Sequence, residues 1–202
     1  LVITPVFPLR YLDKYSLTAT KNLTSVEKGK LQSDIRISLL TAYDETDKFP
    51  ALTDDQLLTL VQKQTFKYFW DFGHPISGLA LERDNSGDLV TTGGSGFGIM
   101  AIVTGVHRNF ITRQQGLERL TKMVDFLTNK AQRFHGAFPH WLNGSSGAVI
   151  PFGTKDNGAD LVETSFLMQG LLTARQYFDG ADLTETDLRT KINAIWTAVE
   201  WS

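Results

Sequence analysis

The sequence predicts a mainly α fold with helices in two concentric layers, part of an α/α toroid, preceded by a short β-containing segment. Three observations predict it. From Thr53 onward, five helical patterns alternate between amphipathic and apolar on all sides. A helix apolar all round must be enclosed by protein, and an amphipathic one covers it and faces water. Residues 1–50 carry the strand period instead, with Tyr15, Leu17 and Ala19 alternating, then Ile35, Ile37 and Leu39.

The β-rich segment reads as about three short strands, too few for a sandwich that would fold alone. "DETDKFPA" (44–51), acidic and closed by Pro50, reads as a linker. The expected organisation is therefore residues 1–50, an N-terminal β-rich segment and linker, and 51–202, the helical part. The first helix is expected after Thr53, a good N-cap followed by Asp54 and Asp55. "GFGIMAIVTGVHRNF" (96–110) is the first apolar helix, with Ser95 as its expected N-cap. Thr112 caps the next, whose Leu117, Leu120, Met123, Val124 and Leu127 form one stripe. A long polar-aromatic loop is expected over 132–158, then a second apolar helix. Leu188, Ile192, Ile195, Trp196 and Val199 mark the last. No Gly, Asn or Pro closes that last pattern, so the chain reads as a piece of a longer one.

Composition narrows the function. Hydrophobic residues at 42% support a core, and 20 basic against 22 acidic residues give no electrostatic case for nucleic acid. With no cysteine there is no thiolate chemistry and no disulfide. No apolar run approaches the ~20 residues that span a bilayer. Four histidines without H-E-x-x-H make no metal site, and no metal or other cofactor is expected. There is no G-x-S-x-G elbow for a serine hydrolase. "TTGGSGFG" (91–98) fits neither common phosphate-binding glycine pattern.

The chemistry-bearing residues gather in the two long loops. "KDNGADLVETSFLMQGLL" (155–172) sets Asp156, Asp160 and Glu163 at spacings of four and three, one side of a helix. Asp156 as N-cap and Asp160 as a dipole-compensating acid would account for two of them without any chemistry. Glu163 is harder to explain so. A carboxylate between Val162 and Thr164 must be paired or face a wet cavity, where it could act as acid, base or hydroxyl acceptor. "LERDNSGD" (81–88) adds Glu82, Arg83, Asp84 and Asp88, and also reads as a solvated turn. "FHGAFPHWLNGSSG" (134–147) offers Phe138, His140 and Trp141. Aromatic faces suit the C–H faces of sugar rings, although the same rings could simply plug the helix ends.

"SGLALERDNSGD", "TTGGSGFGIMA", "GAFPHWLNG" and "DNGADLVETSFLMQGLLTARQYF" together resemble the bacterial glycoamylase-like family of glycoside hydrolases, which includes endo-β-1,2-glucanases. The likeness covers about residues 52–202. It implies an (α/α)6 toroid, a glucan or oligosaccharide as substrate and partner, and an extracytoplasmic location. It sets Asp156, Asp160 and Glu163 where that family has acids essential to its sugar cleft, and it implies further helices that complete the ring. Glycoside hydrolysis needs two carboxylates flanking the scissile bond. Glu163 and then Asp160 are the candidate catalytic residues. Asp156, Arg83, Asp84, Phe138, His140 and Trp141 are the candidate substrate-binding ones. The rival readings are a helical glycan-binding protein without turnover and a purely structural helical domain.

Overall fold

The computed structural model describes residues 2–201, and these form a mainly helical protein. The chain divides into two compact units, Leu1–Leu52 and Thr53–Ser202. In the first, β1 (Lys14–Ala19) pairs antiparallel with β2 (Ile35–Leu40). The register sets Tyr15 opposite Leu39, Leu17 opposite Ile37 and Ala19 opposite Ile35, so the alternating apolar residues share one face. Two strands form here where about three were expected.

The second unit holds five helices among its described residues. Helix α1 (Asp54–Asp71) starts from a capping box in which Thr53 and Gln56 satisfy each other's backbone N–H groups. Helix α3 (Arg113–Asn129) repeats the device with Thr112 and Gln115. Helix α2 (Thr92–His107) and helix α4 (Leu161–Tyr177) pack closely on each other. Glycines make that approach possible. A Cβ on Gly96 would stand 2.1 Å from the Phe166 carbonyl oxygen, and one on Gly170 would stand 2.3 Å from that of Gly96. Helix α5 (Leu183–Thr197), capped by Asp182, packs on α3 and α4, while α1 and α3 pack on α2.

The core runs between these helices, through Ile99, Ile102, Leu120, Val124, Leu167, Leu171, Phe178 and Ile192, all at 1% exposure or less. Each such side chain stabilises the fold by about 1.5–3 kcal/mol relative to leaving it in water. None of the helices among the described residues is long and apolar enough to cross a membrane.

Four details differ from the sequence reading. Helix α2 begins at Thr92, so Ser95 lies inside its first turn. There Ser95 donates to the Thr91 carbonyl and accepts the Ala80 N–H, tying the preceding loop to the helix. Helix α4 begins at Leu161, and its N-cap is Asp160, with Asp156 outside the helix. Asn157 and Gly158 separate the two acids and favour a turn over a helical start. The loop 132–158 contains β4 (Trp141–Asn143) and β5 (Val149–Ile150), and β4 also pairs with β3 (Leu89–Thr91) from the earlier loop. Finally, α5 stops at Thr197, although Val199 beyond it is still buried.

Candidate active site

The site grows from the place where α2 and α4 begin. Between their N-termini lies the segment Phe138–Pro139–His140, stitched to both helices. Thr92 donates its hydroxyl to the Pro139 carbonyl and its N–H to the His140 carbonyl. On the other side, the Thr164 hydroxyl accepts the Phe138 N–H at 2.8 Å and donates to the Phe138 carbonyl, which also accepts the Asp160 N–H. Thr92 and Thr164 are both buried, and these bonds satisfy their hydroxyls.

This strap presents the His140 ring to three carboxylates. Its Nδ1 lies 3.3 Å from Asp160 Oδ2 and 3.6 Å from Asp156 Oδ2. Its Nε2 lies 4.0 Å from Glu163 Oε1. All four side chains are partly exposed, Glu163 least at 18%. The three acids do share one locus, but a histidine on a loop gathers them, and only Glu163 lies within the helix.

Each acid is held by a separate device. Asp160 uses Oδ1 to cap α4, accepting the N–H groups of Val162 at 2.8 Å and Glu163 at 3.0 Å, which leaves Oδ2 toward the histidine. Glu163 Oε2 accepts the Gly93 N–H at 2.9 Å, at the positive end of the α2 dipole. A Cβ on Gly93 would stand 2.5 Å from that same oxygen, so glycine is what lets the carboxylate dock there. Asp156 sits on a turn closed by its own backbone bonds with Gly153. The same turn brings Phe152 over His140, stacked with centroids 4.1 Å apart, and against Trp141 at 4.7 Å.

Of the remaining candidates, Trp141 joins this aromatic rim, edge-on to His140 at 5.7 Å. Phe138 requires a correction. It is fully buried, with the Arg133 guanidinium 5.2 Å from its ring centre, and it packs the core without offering a face to a ligand. Arg83 and Asp84 are exposed, and the contacts of Arg83 run to Glu82 and Ser86, with none to the three clustered acids. Asp88, by contrast, joins the two loops. It accepts from His74 and Ser145, and the His74 bond foremost holds its carboxyl below the ordinary carboxylate range.

Gly93, Phe152 and Thr164 were missed in the sequence. Phe152 directly follows "GAVIP" with no pattern around it, and Gly93 is one glycine of several in its segment. Only the threonine had a signal, lying one residue past Glu163 in an apolar helix. His140, Asp156 and Asp160 offer a nitrogen and two oxygens within 4.8 Å of one another, a donor set able to hold a cation. A groove of about 580 Å³ runs along α3, lined by Leu117, Phe126 and Lys122 among others, and no histidine gathers carboxylates there.

Acids and aromatic rings thus gather beside the starts of α2 and α4, and comparison with known proteins finds relatives named for β-1,2-glucan hydrolysis. Over 153 residues the chain is 52% identical to an exo-β-1,2-glucooligosaccharide sophorohydrolase (non-reducing end) of Parabacteroides distasonis, covering 75% of this chain and 21% of that one. An endo-β-1,2-glucanase structure from Chitinophaga pinensis, in complex with sophorotriose and glucose, matches with TM-score 0.72 and 53% identity, over 75% of this chain and 38% of that chain. A β-1,2-glucanase structure from Parabacteroides distasonis matches with TM-score 0.73 and 44% identity, over 94% of this chain and 26% of that one. No protein-family model matches. Over the matched segment the chain is similar to proteins named as glucoamylase-like and β-1,2-glucan-acting glycoside hydrolases. The chain spans only about a fifth to two fifths of the length of these relatives.

Proposed function

We propose that the protein hydrolyses β-1,2-linked glucan or its oligosaccharides by carboxylate acid–base chemistry, outside the cytoplasm, within an (α/α)6 toroid of which Thr53–Ser202 is one part. The packing of α1 and α3 on α2, and of α5 on α4, supports the toroid. One observation carries the chemistry: Asp156, Asp160 and Glu163 converge on His140 beside exposed aromatic rings.

In this reading Glu163 handles the proton of the reacting oxygen. The Gly93 N–H fixes one of its oxygens, and the other stays open toward His140 and the sugar. Asp160, rigid because it caps the helix, holds a sugar hydroxyl or an attacking water, with Asp156 and His140 beside it. Trp141 and Phe152 meet the C–H face of a neighbouring glucose unit. Asp160 and Glu163 lie three apart on one helix start, on one side of any bound sugar. The opposing carboxylate that hydrolysis requires comes from further helices.

That one-sidedness also favours a second reading, in which this chain by itself binds glycan without cleaving it. Incubating linear β-1,2-glucan with this chain, and with a protein as long as the relatives, separates the two by the appearance of new reducing ends. Glu163→Gln in the longer protein is expected to lower turnover by about 10²–10⁴-fold, the range for a lost acid or base. Undiminished turnover in that variant would end the assignment of Glu163.

A further inference from the structure

One aromatic pair near the carboxylates lies outside the loops, on α2 and α4. Phe166 stands one turn beyond Glu163 on α4, and Phe97 one turn beyond Gly93 on α2. Their rings are neighbours, with centroids 5.4 Å apart and planes tilted by 40°. Both are exposed, at 49% for Phe97 and 42% for Phe166, as are Leu161 and Val162 at the start of α4. The Phe166 ring edge reaches to 3.3 Å from where a Gly93 Cβ would stand, and that point is 2.5 Å from Glu163 Oε2. The Glu163 carboxylate therefore has His140 near Oε1 and the edge of Phe166 near the Gly93 seat of Oε2, with Phe97 against Phe166.

Resting on the glycosidase reading above, we propose that Phe97 and Phe166 form an apolar platform for a pyranose ring of the β-1,2-linked chain, next to Glu163. Two arguments choose a sugar over a protein helix as the occupant. First, the patch sits beside a carboxylate, and a pyranose offers hydroxyls and an apolar C–H face side by side, which matches that juxtaposition. Second, the exposed stripe is apolar only at this end. Further along α2 it passes the partly buried Met100 and Ala101 and ends at the exposed Thr104, and on α4 it continues as the exposed Gln169. A stripe made to be covered by another helix would stay apolar along its length.

Calorimetric titration of this chain with linear β-1,2-glucooligosaccharides tests the proposal, using wild type, Phe97→Leu, Phe166→Leu and the double variant. Leucine keeps an apolar side chain and removes the ring. Each single variant is expected to bind about 2–13-fold more weakly, as loss of an aromatic contact of 0.5–1.5 kcal/mol gives, with a melting temperature near wild type. Ring resonances of ¹³C-labelled Phe97 and Phe166 in the wild type should shift as sugar is added, which keeps the test alive if a variant folds poorly. Wild-type affinity in the leucine variants, or ring signals unmoved while wild type binds, overturns the platform and leaves the glycosidase reading standing. A wild-type chain that binds no sugar overturns the platform; absence of cleavage by the longer protein overturns the glycosidase reading itself.

Discussion

Asp160 does two jobs with two oxygens. Oδ1 caps α4 and Oδ2 faces His140, so a substitution can separate stability from chemistry. Asp160→Asn keeps a capping oxygen and loses the charge, and should unfold in urea near wild type while turning over poorly. Asp160→Ala loses the cap as well and should cost about 1 kcal/mol in the same urea titration. Gly93→Ala is expected to act at a distance of one atom, its Cβ pushing the Glu163 carboxylate from its seat. Hydrolysis of β-1,2-glucan by the longer protein should drop while its melting temperature changes little, because alanine otherwise suits a helix. At this scale the acids were legible and their roles were not. Spacing named Asp156, Asp160 and Glu163, but it could not say which one leaves the helix. That depends on the extended backbone at Asp160, with φ −125° and ψ 113°, after an Asn-Gly turn.

Among elements, the contact between α2 and α4 positions everything else, since both helix starts hold the strap that carries His140. Their closeness rests on glycine, and Gly170→Ala would drive a methyl into the Gly96 backbone. The expected cost is about 1–3 kcal/mol, read as a lower urea midpoint with unchanged slope. The helices themselves were legible, because an apolar pattern on all sides has few other meanings over sixteen or seventeen residues. Strands β3, β4 and β5 were not. Lengths of three, three and two residues are too short for alternation to register, and their pairing joins segments some fifty positions apart. Phe138 was misread for a related reason: Gly, Pro and His around it signal a loop, yet its ring turns inward beneath the strap.

For the whole molecule, the tie between α3 and α5 sets an acid limit. The Arg113 guanidinium donates twice to Glu185, and with the Gly180 N–H it holds that buried carboxyl below its ordinary value of 4.5. A lowered value in the folded state means the stabilisation is full above the unfolded value and is lost as pH falls through the folded one. Melting temperature should therefore fall below about pH 4.5, and Glu185→Gln should be less stable at pH 7 while showing a shallower acid limb. The meeting of two distant loops in one sheet was not legible in the sequence, because contacts between remote segments leave no local trace. That sheet has a consequence of its own. Val90 is paired with Leu142, and Asp88 reaches across to Ser145, so neither loop can swing away without breaking the other's backbone ladder. The two loops are therefore fastened to each other beside His140, and on the proposed function sugar would dock with little ordering penalty there, seen as matching amide-exchange protection at Leu142 before and after binding.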